Sequence, residues 1–115
     1  LQLGAAEPKN YLRAPDSLDV LLDLDKTSGP LSIRRAETGD RMQPLGMTGT
    51  KLVSDLYQEA RLTLTARRLL PMLCDTLGII WIPGVALADR VRIDAGTKRA
   101  LHARFGPIEE SHWDV

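Results

Sequence analysis

The sequence predicts one α+β domain of antiparallel, sandwich-like sheets with one main helix and one short helix. Three observations carry that prediction. The chain has 115 residues, 43% of them hydrophobic, which suits one domain around a single two-layer core. Apolar and polar side chains alternate with a period of two near both ends of the chain, as half-buried strands require. Between them lies one clear stripe of helical period, at Leu52, Val53, Leu56, Tyr57 and Ala60, so no strand–helix–strand crossover is evident and a parallel sheet is not expected.

Taken in order, residues 1–16 hold Gly4, Pro8 and Pro15 without apolar periodicity, and read as a linker or as an entry segment that docks loosely. Domain material is expected from 17 to 105, with an acidic tail at 106–115. From Ser17, the apolar Leu18, Val20, Leu22 and Leu24 alternate with Asp19, Leu21, Asp23 and Asp25, a strand with one apolar face. Ser28-Gly29-Pro30 breaks it, and Leu31–Arg35 reads as a second strand in hairpin with the first. Gly39, Pro44, Gly46 and Gly49 make the next stretch a loop. A helix is expected from Thr50, as N-cap, to Arg61, with Lys51 and Asp55 four apart on one face. Thr65 to Leu70 forms a further helical turn, capped by Thr65 and stopped by Pro71. Met72–Cys74 and Ile79–Ile82 read as a buried hairpin across Asp75–Gly78, ended by Pro83-Gly84. Val91 and Ile93 mark a short strand, and Leu101, Ala103 and Phe105 alternate in the last one.

Composition excludes several function classes. Cys74 is the single cysteine, so no intrachain disulfide forms, and with His102 and His112 alone the ligand set of a structural zinc is missing. No apolar run approaches the roughly 20 residues that span a bilayer, and Leu1 opens no signal pattern. The cytoplasm is therefore the expected location, and no membrane partner is expected. Only 4% of residues are aromatic, too few for a base-stacking single-strand binder.

No catalytic set is visible. Cys74 lies inside an apolar run and reads as a small core hydrophobe. His102 reads as a surface histidine on the last strand, and Asp19, Asp23 and Asp25 as the solvated side of the first. Trp81 among isoleucines reads as core; Trp113 reads as a docking anchor or as nothing. Gly46-Met47-Thr48-Gly49-Thr50-Lys51 matches neither nucleotide-binding glycine spacing, though its amides and Lys51 could hold one phosphate of a polymer.

The net charge of zero conceals an uneven distribution. Residues 1–30 carry three basic and five acidic side chains, residues 31–104 twelve and seven, and residues 105–115 none and three. The basic excess of the middle surrounds the loop and helices, where Arg34, Arg35, Arg41, Lys51, Arg61, Arg67 and Arg68 fall. Such a cluster suits phosphate contacts, which release condensed counterions; scattered surface arginines are the plain alternative.

The same middle segment carries a resemblance. Ile33-Arg34, Gly39-Asp40-Arg41, Pro44-Leu45-Gly46-Met47, Gly49, Lys51 and Asp55, then Arg67, Leu70-Pro71, Leu73, Asp75, Gly78-Ile79, Trp81, Pro83-Gly84, Arg90 and Thr97-Lys98 resemble the C-terminal domain of bacterial tRNA(Ile)-lysidine synthetases over residues 31–105. The resemblance implies a parent enzyme, an ATP-dependent ligase that adenylates the wobble cytidine of an isoleucine tRNA and attaches lysine to it. It also implies that ATP and the catalytic residues belong to another domain, leaving this fragment inactive alone and without a cofactor or metal. The implied fold is an α+β sandwich related to a domain in the β chain of phenylalanyl-tRNA synthetase. Its implied partners are the tRNA near the acceptor stem and the remainder of the enzyme; a homodimer with a second copy belongs to the alternative interaction-module reading. An A-form stem offers phosphates and 2′-hydroxyls more readily than base edges, which suits a basic surface that reads shape.

Carried over by position, the implied RNA-binding residues are Arg34, Arg41, Lys51, Arg67, Arg90 and Lys98, with Arg61 and Arg92 as basic equivalents. The chain departs from the family pattern at Ala36, Thr38, Leu52, Thr63, Leu64, Leu69, Ala86 and Ala88, several of them basic positions elsewhere. The alternative function is a protein interaction or dimerisation module, motivated by Leu52, Leu64 and Leu69. Asp40 either orients Arg41 or holds the Gly39 turn, and Arg67 either contacts RNA or pairs with a carboxylate such as Asp75.

Overall fold

A computed structural model describes residues 2–6 and 18–106. It contains nine strands and two α-helices within those residues: β1 (Gln2–Ala6), β2 (Asp19–Asp23), β3 (Ser32–Arg34), β4 (Arg41–Met42), β5 (Lys51–Leu52), α1 (Val53–Glu59), α2 (Leu64–Leu69), β6 (Met72–Asp75), β7 (Gly78–Ile82), β8 (Ala86–Leu87) and β9 (Ala100–Arg104). The strands form three sheets in the orders β1-β9-β2, β3-β6-β7-β8 and β4-β5, and every pairing is antiparallel. The tail from residue 107 onward lies outside the described residues.

One hydrophobic core joins the layers. Val20 and Leu22 of β2 and Ala103 of β9 meet Met72–Cys74 of β6, Ile79–Ile82 of β7, Ala86 and Leu87 of β8, and Val53, Leu56 and Tyr57 of α1. All of β6 is buried, and so is β7 from Ile79 onward, which is why those strands read as continuous apolar runs rather than alternating ones. The expected β6–β7 hairpin is present, and its turn is built by Asp75. One oxygen of that carboxylate accepts N–H bonds from Leu77 at 2.9 Å and Gly78 at 3.2 Å, while Gly78 takes φ +138°, a region open to glycine.

Four local expectations are corrected. The segment read as a linker contains β1, which pairs with β9 from Gln2↔Arg104 to Ala6↔Ala100. Backbone pairing with a free sheet edge needs no side-chain periodicity, so nothing in that stretch announced it. The β2–β3 hairpin does not exist, because β2 pairs with β9 and β3 with β6. Between them the chain crosses to the other sheet, held where Thr76 donates its N–H to the Ser28 carbonyl at 2.9 Å. Val91 belongs not to a strand but to a 3-10 turn over Asp89–Val91. The supposedly solvated aspartates are engaged: Asp23 is 4% exposed and accepts from Thr97 Oγ1 at 2.8 Å and the Asp25 N–H at 2.9 Å.

Both helices start and stop by mechanisms the sequence only half announces. The first begins at Val53 rather than Thr50, because Lys51 and Leu52 are used as strand opposite Met42 and Arg41 and the Val53 N–H goes to the Asp40 carbonyl at 2.9 Å. Thr50 is therefore no cap. Arg61 follows the helix with φ +58°, the left-handed position that glycine usually fills at a helix end. The second helix is capped by Thr63, whose hydroxyl accepts the Ala66 N–H at 3.1 Å, two residues ahead of the Thr65 expected. Leu70 then turns extended before Pro71, as a residue preceding proline must.

Candidate nucleic-acid interface

The eight candidate cations divide between those held by carboxylates and those left open. Arg34 on β3 forms a bidentate pair with Asp40, at 2.8 and 2.9 Å. That pair, with the Glu37 N–H at 2.7 Å on the same carboxylate, holds the Asp40 acid below the usual range. Asp40 therefore fixes its own turn and Arg34 and does not orient Arg41. Arg90 forms a second bidentate pair with Asp75, both contacts at 2.7 Å; the carboxylate is fully covered while the arginine keeps about a third of its side-chain surface. Burial of Asp75 opposes its ionisation, but Arg90 and the Ser28 and Leu77 amides outweigh it and bring the pKa to about 2. Arg67 is not the partner of Asp75. Lys51 pairs with Glu59, not with Asp55, and Arg92 pairs with Asp89 at 3.2 Å.

The other four form no salt bridge among the described residues, although Lys98 lies near enough to Asp25 for its charge to help lower that acid. On β4, Arg41 gives Nε to the Thr50 hydroxyl at 3.0 Å and a terminal amino group to the Thr50 carbonyl at 3.3 Å. These bonds orient the guanidinium without neutralising it, which is how an arginine is kept ready for a phosphate. Arg67, in the last turn of α2, gives Nε to the Leu62 carbonyl at 3.1 Å. Arg61 stands at the end of α1, and Lys98 in the exposed turn ahead of β9.

Three clefts collect these groups. The first, about 240 Å³, has Arg41 and Arg90 on its walls with Gln43, Thr50 and Gly78; strands β4 and β7 and the 89–91 turn bring together two residues far apart in sequence. A second, about 300 Å³, lies between the 36–40 loop, α1 and α2 and is lined by Arg67 and Arg68. A third, about 490 Å³, is lined by Leu3, Leu24, Leu101, Lys98 and Arg99, beneath the edge strand that the sequence did not reveal. Arg68 was not among the residues carried over by position; its signal was the Arg67-Arg68 doublet near a helix C-terminus, where cations complement the helix dipole. Thr50, the residue that aims Arg41, carried no recognisable signal, because its task depends on β4 pairing with β5.

The same geometry bears on ATP. The Gly46 N–H goes to Asp89 Oδ1 at 2.9 Å and the Met47 N–H to the Pro44 carbonyl at 3.0 Å, while Lys51 is taken by Glu59. The 46–51 stretch thus spends these groups on itself and its neighbours and does not fit a nucleoside triphosphate. Cys74 is buried, and that burial pushes its thiol up, away from nucleophile character. His102 lies 3.2 Å from Asp19. Among the described residues no helix is long and apolar enough to cross a membrane.

Comparison with known proteins places this arrangement. The fold matches the crystal structure of a TilS C-terminal domain with a TM-score of 0.70 and 25% identity, over 91% of this chain and 82% of that one. It also matches an N-terminal fragment of the phenylalanyl-tRNA synthetase β-subunit from Pyrococcus horikoshii, with a TM-score of 0.62 at 20% identity over 73% of this chain and 26% of that one, a likeness of fold. A tRNA(Ile)-lysidine synthase of Symbiobacterium thermophilum is 39% identical over 89 residues, which is 77% of this chain and 18% of that protein. The chain spans under a fifth of the length of the curated relatives it matches. Residues 31–103 match the family model described as the TilS substrate C-terminal domain, and the chain belongs to that family.

Proposed function

We propose that this chain is the tRNA-gripping C-terminal domain of a tRNA(Ile)-lysidine synthase, working in the cytoplasm beside the remainder of the enzyme. In that reading the larger enzyme uses ATP to adenylate the wobble cytidine and attaches lysine to it. This domain supplies no catalytic group and holds the RNA at its acceptor stem. The observation that carries the reading is the cleft that Arg41 and Arg90 line: the Arg41 guanidinium is braced by Thr50 without a counter-charge, while Arg90, held by Asp75, forms the wall beside it. Bracing of this kind lowers the entropy lost on binding a phosphate. Arg61, Arg67 and Lys98, which form no salt bridge among the described residues, extend the contacts. Arg34, Lys51 and Arg92, already paired, serve the scaffold first and the RNA second.

Binding of an isoleucine tRNA transcript, followed by fluorescence anisotropy across a salt series, tests this. The logarithm of affinity is expected to fall with that of salt by about 0.7 to 0.9 per phosphate contacted. Arg41→Ala and Lys98→Ala are each expected to reduce the slope by about one. Binding that ignores salt, or slopes that neither variant moves, overturns the reading.

A further inference from the structure

The cleft that Arg41 and Arg90 line holds one more fixed polar group, the carboxamide of Gln43. Arg41 and Gln43 flank Met42, which is 4% exposed and belongs to the core. The alternation of an extended chain sends the two flanking side chains to the same outer face, roughly 7 Å apart along the backbone. Gln43 Nε2 donates to the Met47 carbonyl. A carbonyl can only accept, so this bond decides which end of the carboxamide is nitrogen and which is oxygen. Oε1 is left as an acceptor with no donor among the described residues. It is also open to solvent, since the covered side-chain atoms that lack a partner there are the Tyr57 hydroxyl and the Trp81 indole nitrogen. No acidic side chain lines this cleft, and Asp75, the partner of Arg90, is fully covered.

The face therefore offers a positive charge aimed by Thr50 and, beside it, a neutral acceptor. Its complement is an anion with a hydrogen-bond donor next to it. Phosphates supply the anion in DNA and RNA alike. The ester and furanose oxygens around them only accept, and the group of the sugar-phosphate chain that can donate is the ribose 2′-hydroxyl. It recurs at every nucleotide and is displayed in the wide, shallow minor groove of an A-form stem. We propose that Gln43 is a specificity-determining residue for RNA, its Oε1 accepting from a 2′-hydroxyl while Arg41 holds a neighbouring phosphate of the same strand. The proposal rests on the RNA-binding reading above and adds to it the group by which this cleft tells ribose from deoxyribose.

Two hairpins carrying the acceptor stem of an isoleucine tRNA separate donation from shape: one all ribose, the other with 2′-fluoro sugars, which keep the A-form but cannot donate. By anisotropy at fixed salt, the native chain is expected to bind the ribose hairpin about three- to tenfold more tightly, the scale of one hydrogen bond. Gln43→Met, close in volume but without the amide oxygen, should shrink that ratio towards one and leave the salt slope unchanged, because no charge is altered. Arg41→Ala should instead weaken both hairpins and lower the slope by about one. A Gln43 that merely props the 43–47 loop would weaken both hairpins alike in Gln43→Met and leave the ratio where it was, which overturns the proposal. Thermal unfolding checks that the variant is folded; if it is not, Gln43→Asn, whose carboxamide is one methylene shorter, takes its place with the same expected loss of ratio. Equal binding of the two hairpins by the native chain overturns the role of Gln43 and leaves the RNA reading standing. Failure of both hairpins to bind overturns the two together.

Discussion

At the scale of single residues, Asp75 gathers five hydrogen bonds from backbone amides and one arginine. Its two oxygens accept from the Ser28, Leu77 and Gly78 amides and from both arms of Arg90, tying the β2–β3 connection, the β6–β7 turn and the 89–91 turn to one carboxylate. Its folded pKa of about 2 lies below the ordinary carboxyl value of 3.8. A depressed acid stabilises the fold at pH values above its unfolded pKa, and that stability is lost as pH falls towards 2. The loss should be about 2 kcal/mol. Urea unfolding between pH 5 and 2, both limits approximate, should show this decline in the native chain and a flatter profile in Asp75→Asn. Asp75→Asn should also cost about 2 to 3 kcal/mol at neutral pH, because Arg90 loses its counter-charge in a partly covered setting. The arginines show why the candidate site was only partly legible. Sequence reveals that they are present and which family positions they occupy. The carboxylate that consumes each one is chosen by the fold: Asp75 lies fifteen residues from Arg90, and Glu59 lies eight from Lys51.

At the scale of elements, Gly29 and Arg61, two of the six described positions with positive φ, hold that conformation for different reasons. Gly29, at φ +67°, lies where an added Cβ would stand 2.5 Å from Cγ2 of Thr76. Gly29→Ala should therefore lower stability by about 1 to 3 kcal/mol. Thr76→Ser added to it should recover only the part caused by the clash, a difference a double-mutant cycle in urea reads directly. Arg61 takes the opposite course, a bulky residue at φ +58°. Arg61→Gly should leave stability unchanged or raise it by up to about 1 kcal/mol, while losing one unit of salt slope if Arg61 meets a phosphate. Elements whose bonds are local were legible: the β6–β7 hairpin is written in an apolar run, a turn and a second apolar run. Elements chosen by distant partners were not. Leu31–Arg35 reads equally well as a partner for β2 or for β6, and the sequence holds no local signal that decides between them.

At the scale of the whole molecule, the α+β architecture was legible because one helical stripe among several strand-like segments leaves few other layer arrangements. The grouping of cations into separate clefts was not, since it depends on how three sheets pack around one core. Charge is sorted by the fold rather than by position in the chain: Arg34, Lys51, Arg90, Arg92, Lys26 and Arg99 are each paired with a carboxylate, whereas Arg41, Arg67 and Arg68 line clefts without one. The balanced total thus mixes charges that neutralise each other within the scaffold with charges that face outward.

The position of β9 has a consequence for the birth of the domain. It is the last of the described strands in sequence and the central strand of its sheet, flanked by β1 and β2. During synthesis those two earlier strands emerge with no neighbour to pair with until residues 100–104 follow them, and the Gln2↔Arg104 contact closes almost the longest loop the chain allows. Pairing at such separation is slow, so the three-stranded sheet forms last, on a core that β6, β7 and α1 can begin without it. A ribosome stalled before Ala100 would hold a half-built domain with two bare strands, the state in which this chain is most exposed to wrong partners.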